Sequence, residues 1–194
     1  ESIIATCDEC VSGGEKVFFT SQCRPIIKQH NNGDLDYENF LELGKRYLDL
    51  IDIQRQGKKY FVDKFPENYL YYKFIKNSLP GAKFININRD PWDNAISLFK
   101  QYYVKEITYS SSFFGISLEY ANYEHILKEW KSAEDHGILD ISYEELVTDT
   151  NKVVDTIWKF CNLTGHYDAS KRETHFAQTA SKYQVRKKIK ELKK

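Results

Sequence analysis

"VDKFPENYLYYKFIKNSLPGAKFININRDPWDNAIS", residues 62–97, carries one small device twice. In each copy a run with strand character ends in a basic residue, a proline follows within two positions, and helical spacing begins. The two basic residues are Lys64 and Arg89. "KKYFVDK" (58–64) is short, β-branched and aromatic, and reads as a strand. "ENYLYYKFIKNSL" (67–79) reads as a helix closed by Pro80-Gly81, "AKFININ" (82–88) as the next strand, and "PWDNAISLFKQYYV" (91–104) as the next helix. Strand, helix and strand within about thirty residues predict a right-handed βαβ unit with its two strands parallel.

Outward from this stretch the pattern stays α/β. Residues 36–56 predict a helix, with Tyr37, Phe40, Leu41, Leu43, Tyr47, Leu48, Leu50 and Ile51 at three- and four-residue spacing and Gly57 after it. Residues 1–10 read as the end of a helix, "SGGE" (12–15) as a turn, and "VFFT" as a short strand or a loop entry. Residues 105–115 predict an irregular aromatic loop, 117–135 a long helix, 137–143 a third strand and 152–163 a closing helix. The last thirteen residues hold seven Lys or Arg and read as a solvated, basic end. The whole predicts one α/β domain over 1–194, with a central parallel sheet flanked by helices.

Composition narrows the function classes. The 194 residues are 41% hydrophobic, ample for one core, and 28 basic residues balance 28 acidic ones. A zero net charge argues against a nucleic-acid binder, and no apolar run is long enough to span a membrane. The chain starts at Glu1 and contains no methionine, so the expectation is a piece truncated at both ends. Cys7 and Cys10 form a lone CxxC; no second pair completes a zinc site, and no strand precedes it as in a redox motif. Asn162-Leu163-Thr164 is a glycosylation sequon, relevant only if the chain is secreted.

The chemistry is expected at the strand ends. Ligands of open parallel sheets bind at the carboxyl ends of strands, where helix N-termini also point. Three such ends are visible: Lys64-Phe65-Pro66, Arg89-Asp90-Pro91 and Ser142-Tyr143-Glu144. Two cations converging with helix N-termini suit a multiply charged anion, a phosphate-bearing ligand being the natural choice. The competing reading pairs Lys64 and Arg89 with their own neighbours Asp63, Asp90 or Asp93. Ser97, eight residues past Arg89, could reach a phosphate at the same end, and Glu15 after Gly13-Gly14 could serve as a general base.

Together these stretches resemble the sulfotransferases that use 3′-phosphoadenosine 5′-phosphosulfate (PAPS), closest to tyrosylprotein sulfotransferases and to bacterial enzymes that follow tetratricopeptide repeats. "SGGE", residues 63–97, "EYANYEHILKEW", "ISYEELV" and "SKYQVR" carry the resemblance in the family's order. The resemblance implies a P-loop-type three-layer fold. It makes Glu15 the base that takes the acceptor's proton and Lys64 the cation over the bridging oxygen of the phosphosulfate. It makes Arg89 and Ser97 the ligands of the donor's 3′-phosphate and Tyr143 a nucleotide contact, with Ser181, Gln184 and Arg186 in a C-terminal nucleotide-binding stretch. It implies PAPS as donor, 3′-phosphoadenosine 5′-phosphate (PAP) as product, no metal, and a hydroxyl-bearing acceptor such as a peptide tyrosine, a small phenol or a saccharide. A homodimer is compatible with it. The acceptor pocket is expected along residues 105–123 and after Glu15.

Two features depart from the family. Its phosphosulfate-gripping glycine-rich loop is expected upstream of Glu1, and its proline after Arg186 is replaced by "KKIKELKK". The bacterial branch implies a cytoplasmic setting, with the Golgi lumen as the alternative if a membrane anchor lies upstream. Two other functions fit parts of the pattern: a P-loop nucleotide kinase, and a degenerate domain that binds a nucleotide or a partner without catalysis.

Overall fold

The strand that ends just before Lys64 takes its partner from the stretch expected to be helix and turn. The structure, a computed structural model of the chain, describes residues 1–29, 37–100, 108–133 and 137–171. They fall into two units, Glu1–Lys83 with the segment from Leu163, and Phe84–Asn162.

The first unit runs from a 3-10 turn (Ile4–Thr6) through β1 (Cys10–Gly14), α1 (Phe18–Gln29), α2 (Tyr37–Arg55), β2 (Tyr60–Asp63) and a 3-10 segment (Pro66–Tyr71) to α3 (Tyr72–Ser78). β1 and β2 pair in parallel from Cys10↔Tyr60 to Gly14↔Asp63, with Gly13 as the extra residue of a bulge. Gly13 is needed there because a Cβ would stand 2.1 Å from Cζ of the Phe61 ring. Gly14 has φ +66, a left-handed conformation that costs glycine nothing. The glycines that read as a turn are therefore those of a bulged strand lying against a phenyl ring.

Three expectations change accordingly. The helix over 1–10 contracts to one 3-10 turn, "SGGE" is mostly strand, and "VFFT" enters helix α1 rather than a strand. Ladder hydrogen bonds to β2 outweigh the poor strand propensity of two glycines. Residues 67–79 begin as 3-10 rather than α-helix, Pro66 fixing the first turn.

α2 follows its expected span. Its buried face is narrower than the apolar pattern: Leu43, Tyr47 and Ile51 are buried, while Leu41, Leu48 and Leu50 are exposed. Gln56 and Gly57, both at positive φ, end it. Gly44 lets α3 approach so closely that a Cβ would lie 2.1 Å from the Ser78 carbonyl oxygen. The Tyr47 ring closes the core against Phe19 (centroids 5.1 Å apart) and Phe18 (5.4 Å).

The second unit runs β3 (Phe84–Asn88), α4 (Pro91–Lys100), a 3-10 turn (Thr108–Ser111), α5 (Phe113–Lys131), β4 (Ile138–Ser142), α6 (Tyr143–Thr148) and α7 (Thr150–Cys161). β3 and β4 are parallel and in register from Phe84↔Ile138 to Asn88↔Ser142. α5 starts four residues earlier than expected, because the Ser112 hydroxyl accepts the Gly115 N–H (3.0 Å) and caps the helix. α6 was not anticipated; Ser142 caps it by accepting the Glu145 N–H at 3.2 Å. α7 buries Val153, Val154, Ile157 and Trp158.

Within the first unit β2 pairs with β1, and within the second β3 pairs with β4. Each ladder joins strands separated by a helical crossover, as parallel pairing requires. Among the described residues the expected central sheet is represented by these two two-stranded ladders. No described helix is long and apolar enough to cross a membrane. Residues 101–107, 134–136 and the tail from 172, with Ser181, Gln184 and Arg186, lie outside the described residues.

Candidate active-site residues

The first group follows from the β1–β2 register. Gly14 pairs with Asp63, and the ladder adds one more bond, Lys64 N–H to the Gly14 carbonyl at 3.0 Å. The next side chains out of each strand are Glu15 and Lys64, and they meet as an ion pair. Asp63 fixes this corner. Its carboxylate accepts the Tyr47 hydroxyl (2.8 Å) from α2 and the Lys16 N–H (3.3 Å) from the turn that carries Glu15. Burial pushes the Asp63 carboxyl above its ordinary range, with the Tyr47 and Lys16 bonds pulling the other way. Lys64 does not pair with Asp63; that residue is committed to Tyr47 and Lys16.

Beyond Glu15, the start of α1 borders an open groove of about 500 Å³, lined by Val17, Thr20, Ser21, Arg24 and Pro25. Arg24 is tied to Glu67 (3.1 Å) and to the Tyr71 hydroxyl (3.1 Å). Cys23 is fully buried, and burial pushes its thiol up to about 12, so it offers no thiolate.

The second group follows from the β3–β4 register. Asn88 is opposite Ser142, so Arg89 and Tyr143 emerge side by side, and the guanidinium carbon sits 5.1 Å from the Tyr143 ring centroid. Arg89 is also loosely paired with Asp93, at 3.9 Å, one helical turn on. Its Nε–H is buried and has no hydrogen-bond partner among the described residues. Asp90 caps α4 by accepting the Asp93 N–H at 2.9 Å. Ser97 lies two turns further along α4, half-buried, and among the described residues no hydrogen bond joins it to Arg89.

Two features escaped the sequence reading. Glu144 accepts the Asp90 N–H (3.0 Å) and the Ser142 hydroxyl (2.9 Å), binding the turn after β3 to the start of α6. Behind them Tyr123 of α5 donates to Asn86 Oδ1 (2.6 Å), while Asn86 donates to Asp140 Oδ1 (2.9 Å). Burial raises the Asp140 carboxyl, but bonds from Lys131 and Asn86 outweigh it and hold the group below the ordinary carboxylate range. The alternation Asn86, Asn88 in "FININ" was the available signal, since it marks a polar sheet face needing partners.

Each of the two units thus ends a parallel strand with a cation, Lys64 beside a carboxylate in one and Arg89 with a buried donor that no described residue accepts in the other. The sequence model of the sulfotransferase family matches residues 20–168, and the chain belongs to that family. The match includes Lys64, Arg89, Ser97 and Tyr143; Glu15 precedes it, and Ser181, Gln184 and Arg186 follow it. The chain is 28% identical over 153 residues to an uncharacterized protein of Aquifex aeolicus (strain VF5), an alignment covering 74% of this chain and 19% of that protein. The chain thus spans about a fifth of the length of this curated relative.

Proposed function

We propose that the chain carries the catalytic residues of a sulfotransferase that moves a sulfuryl group from PAPS to a hydroxyl acceptor by in-line displacement. The observation that carries this reading is the meeting of Glu15 and Lys64 at the ends of paired parallel strands. Such a step needs a carboxylate at the nucleophile and a cation at the leaving oxygen. The donor, when bound, supplies an activated sulfuryl group and leaves as PAP. Glu15 takes the acceptor hydroxyl's proton as the new oxygen–sulfur bond forms. Lys64 offsets the negative charge that gathers on the former bridging oxygen as its bond to sulfur breaks. Arg89, with Ser97, holds the 3′-phosphate, while the Tyr143 ring supports the guanidinium from one side and contacts the nucleotide.

The residues fit such a ligand. Among the described residues the Arg89 Nε–H is a buried donor without an acceptor, a costly arrangement unless something else accepts it. The groove along α1, which begins two residues after Glu15, suits an aromatic or saccharide acceptor. The C-terminal residues Ser181, Gln184 and Arg186 belong to the nucleotide side of this reading. We take the fold class to be the P-loop type with its parallel sheet, and the setting to be cytoplasmic.

Isothermal titration of the intact protein tests the donor. Binding of PAP, with ATP and magnesium far weaker, is expected. Tight binding of ATP with magnesium and none of PAP would sink the proposal in favour of a kinase.

A further inference from the structure

The turn that carries Arg89 is held by a carboxylate to which the reaction above gives no role. Glu144 Oε1 accepts the Asp90 N–H at 3.0 Å, and its Oε2 accepts the Ser142 hydroxyl at 2.9 Å. Asp90 is the residue next to Arg89, and Tyr143, against whose ring Arg89 lies at 5.1 Å, is the residue next to Glu144. One carboxylate therefore joins two strand ends that emerge side by side from the register pair Asn88↔Ser142.

We propose that Glu144 is a positioning residue for Arg89: its carboxylate latches the turn after β3 to the start of α6 and so sets the direction in which the guanidinium meets a 3′-phosphate. This rests on the reading of Arg89 as a 3′-phosphate ligand. The latch resolves a difficulty at this corner. Asp90, Asp93 and Glu144 put three carboxylates near one arginine, an arrangement that would repel a phosphate if all three faced it. Glu144 is instead spent on a backbone N–H and a hydroxyl, and Asp90 on the Asp93 N–H at 2.9 Å. Of the three, Asp93 is the one at ion-pair distance from the guanidinium, at 3.9 Å. Arg89, its guanidinium carbon 5.1 Å from the Tyr143 ring centroid, keeps its Nε–H for an incoming anion. The Asp90 N–H and Glu144's own N–H, and less strongly the Ser142 hydroxyl and the Arg89 charge, hold the Glu144 carboxyl below its ordinary range against the opposing effect of burial. The latch therefore stays ionised at neutral pH.

The test is the affinity ratio of the intact protein for adenosine 3′,5′-bisphosphate over adenosine 5′-monophosphate, measured by titration calorimetry. A general loss of structure weakens both ligands alike; misdirecting Arg89 lowers the ratio. Glu144→Ala is expected to lower the ratio about tenfold, as befits a lost charge-assisted hydrogen bond. Glu144→Gln keeps an acceptor oxygen for the Asp90 N–H and is expected to recover most of it. Adding Glu144→Ala to Arg89→Ala is expected to cost nothing further. Should Glu144→Ala not fold, Glu144→Asp, charged but a methylene too short, is expected to show the same loss. An unchanged ratio in the Glu144 variants, or equal losses for Gln and Ala, overturns the latch while leaving the phosphate reading intact if Arg89→Ala lowers the ratio. An unchanged ratio in Arg89→Ala overturns the phosphate reading itself, and the latch with it.

Discussion

Replacing Glu15 with glutamine asks whether a carboxylate already paired with a lysine can act as a base. The side chains of Glu15 and Lys64 are 21% and 46% exposed, so water screens their attraction. A pair of this kind contributes at most about 1 kcal/mol, and parting it to free the carboxylate costs the rate no more than about fivefold. Losing a general base costs about a hundredfold to ten-thousandfold. The second range lies well above the first, so the ion pair is no obstacle to catalysis, and Glu15→Gln should lower turnover by at least about two orders of magnitude. Lys64→Met removes the charge at the leaving oxygen and should cost about a hundredfold to a thousandfold. The two groups touch and serve one step, so the double variant should fall little below the worse single one. The assay is transfer of labelled sulfuryl from PAPS to a phenolic acceptor at saturating donor, with PAP affinity titrated alongside to keep binding apart from turnover. Glu15→Gln turning over within about fivefold of the parent, at unchanged PAP affinity, would refute the base assignment; the glutamate would then be a screened structural partner of Lys64.

Two further predictions concern the first unit alone. Gly44→Ala places a methyl 2.1 Å from the Ser78 carbonyl oxygen, a backbone atom that cannot rotate away, so α2 and α3 must part. The expected loss of up to about 2 kcal/mol is an overpacking cost less the helix preference of alanine over glycine; a raised denaturation midpoint would contradict it. Tyr47→Phe leaves Asp63 Oδ2 without the hydroxyl that donates to it at 2.8 Å, and should destabilise by about 1–3 kcal/mol at pH 7. Because burial raises the folded pKa of Asp63, its contribution is fully present below the ordinary value and is lost as pH rises through the raised one. The Tyr47 hydroxyl favours the ionised carboxylate, so the Tyr47→Phe deficit should shrink as acidification protonates Asp63. Urea unfolding at both ends of that window reads it, and a deficit independent of pH would exclude Asp63 as the group left unpaired.

What the sequence made legible was local. The stripe of α2 and the strand character of "KKYFVDK" and "AKFININ" can be read within a dozen residues, where side-chain periodicity reports the buried face. β1 hides because Gly13 and Gly14 carry no side chains; their demand for a bulge and for room beside Phe61 is set by a strand some fifty residues away. The same distance explains the site. Lys64 and Arg89 were readable as strand-end cations, but their neighbours depend on register, which periodicity does not encode. Once register is known, one rule gives both groups: in a parallel ladder, the residues one step past a paired end emerge together. Past Gly14↔Asp63 they are Glu15 and Lys64; past Asn88↔Ser142 they are Arg89 and Tyr143. The repeated device in residues 62–97 is thus half of each arrangement. The difference between the two lies in what the partner strand contributes, a carboxylate in one case and an aromatic ring with its glutamate neighbour in the other. A cation beside a carboxylate can manage a proton and a developing charge. On the proposed reading, a cation over a ring, with Asp90 and Glu144 spent on backbone and hydroxyl donors, binds the 3′-phosphate, which leaves transfer to the first group and recognition to the second.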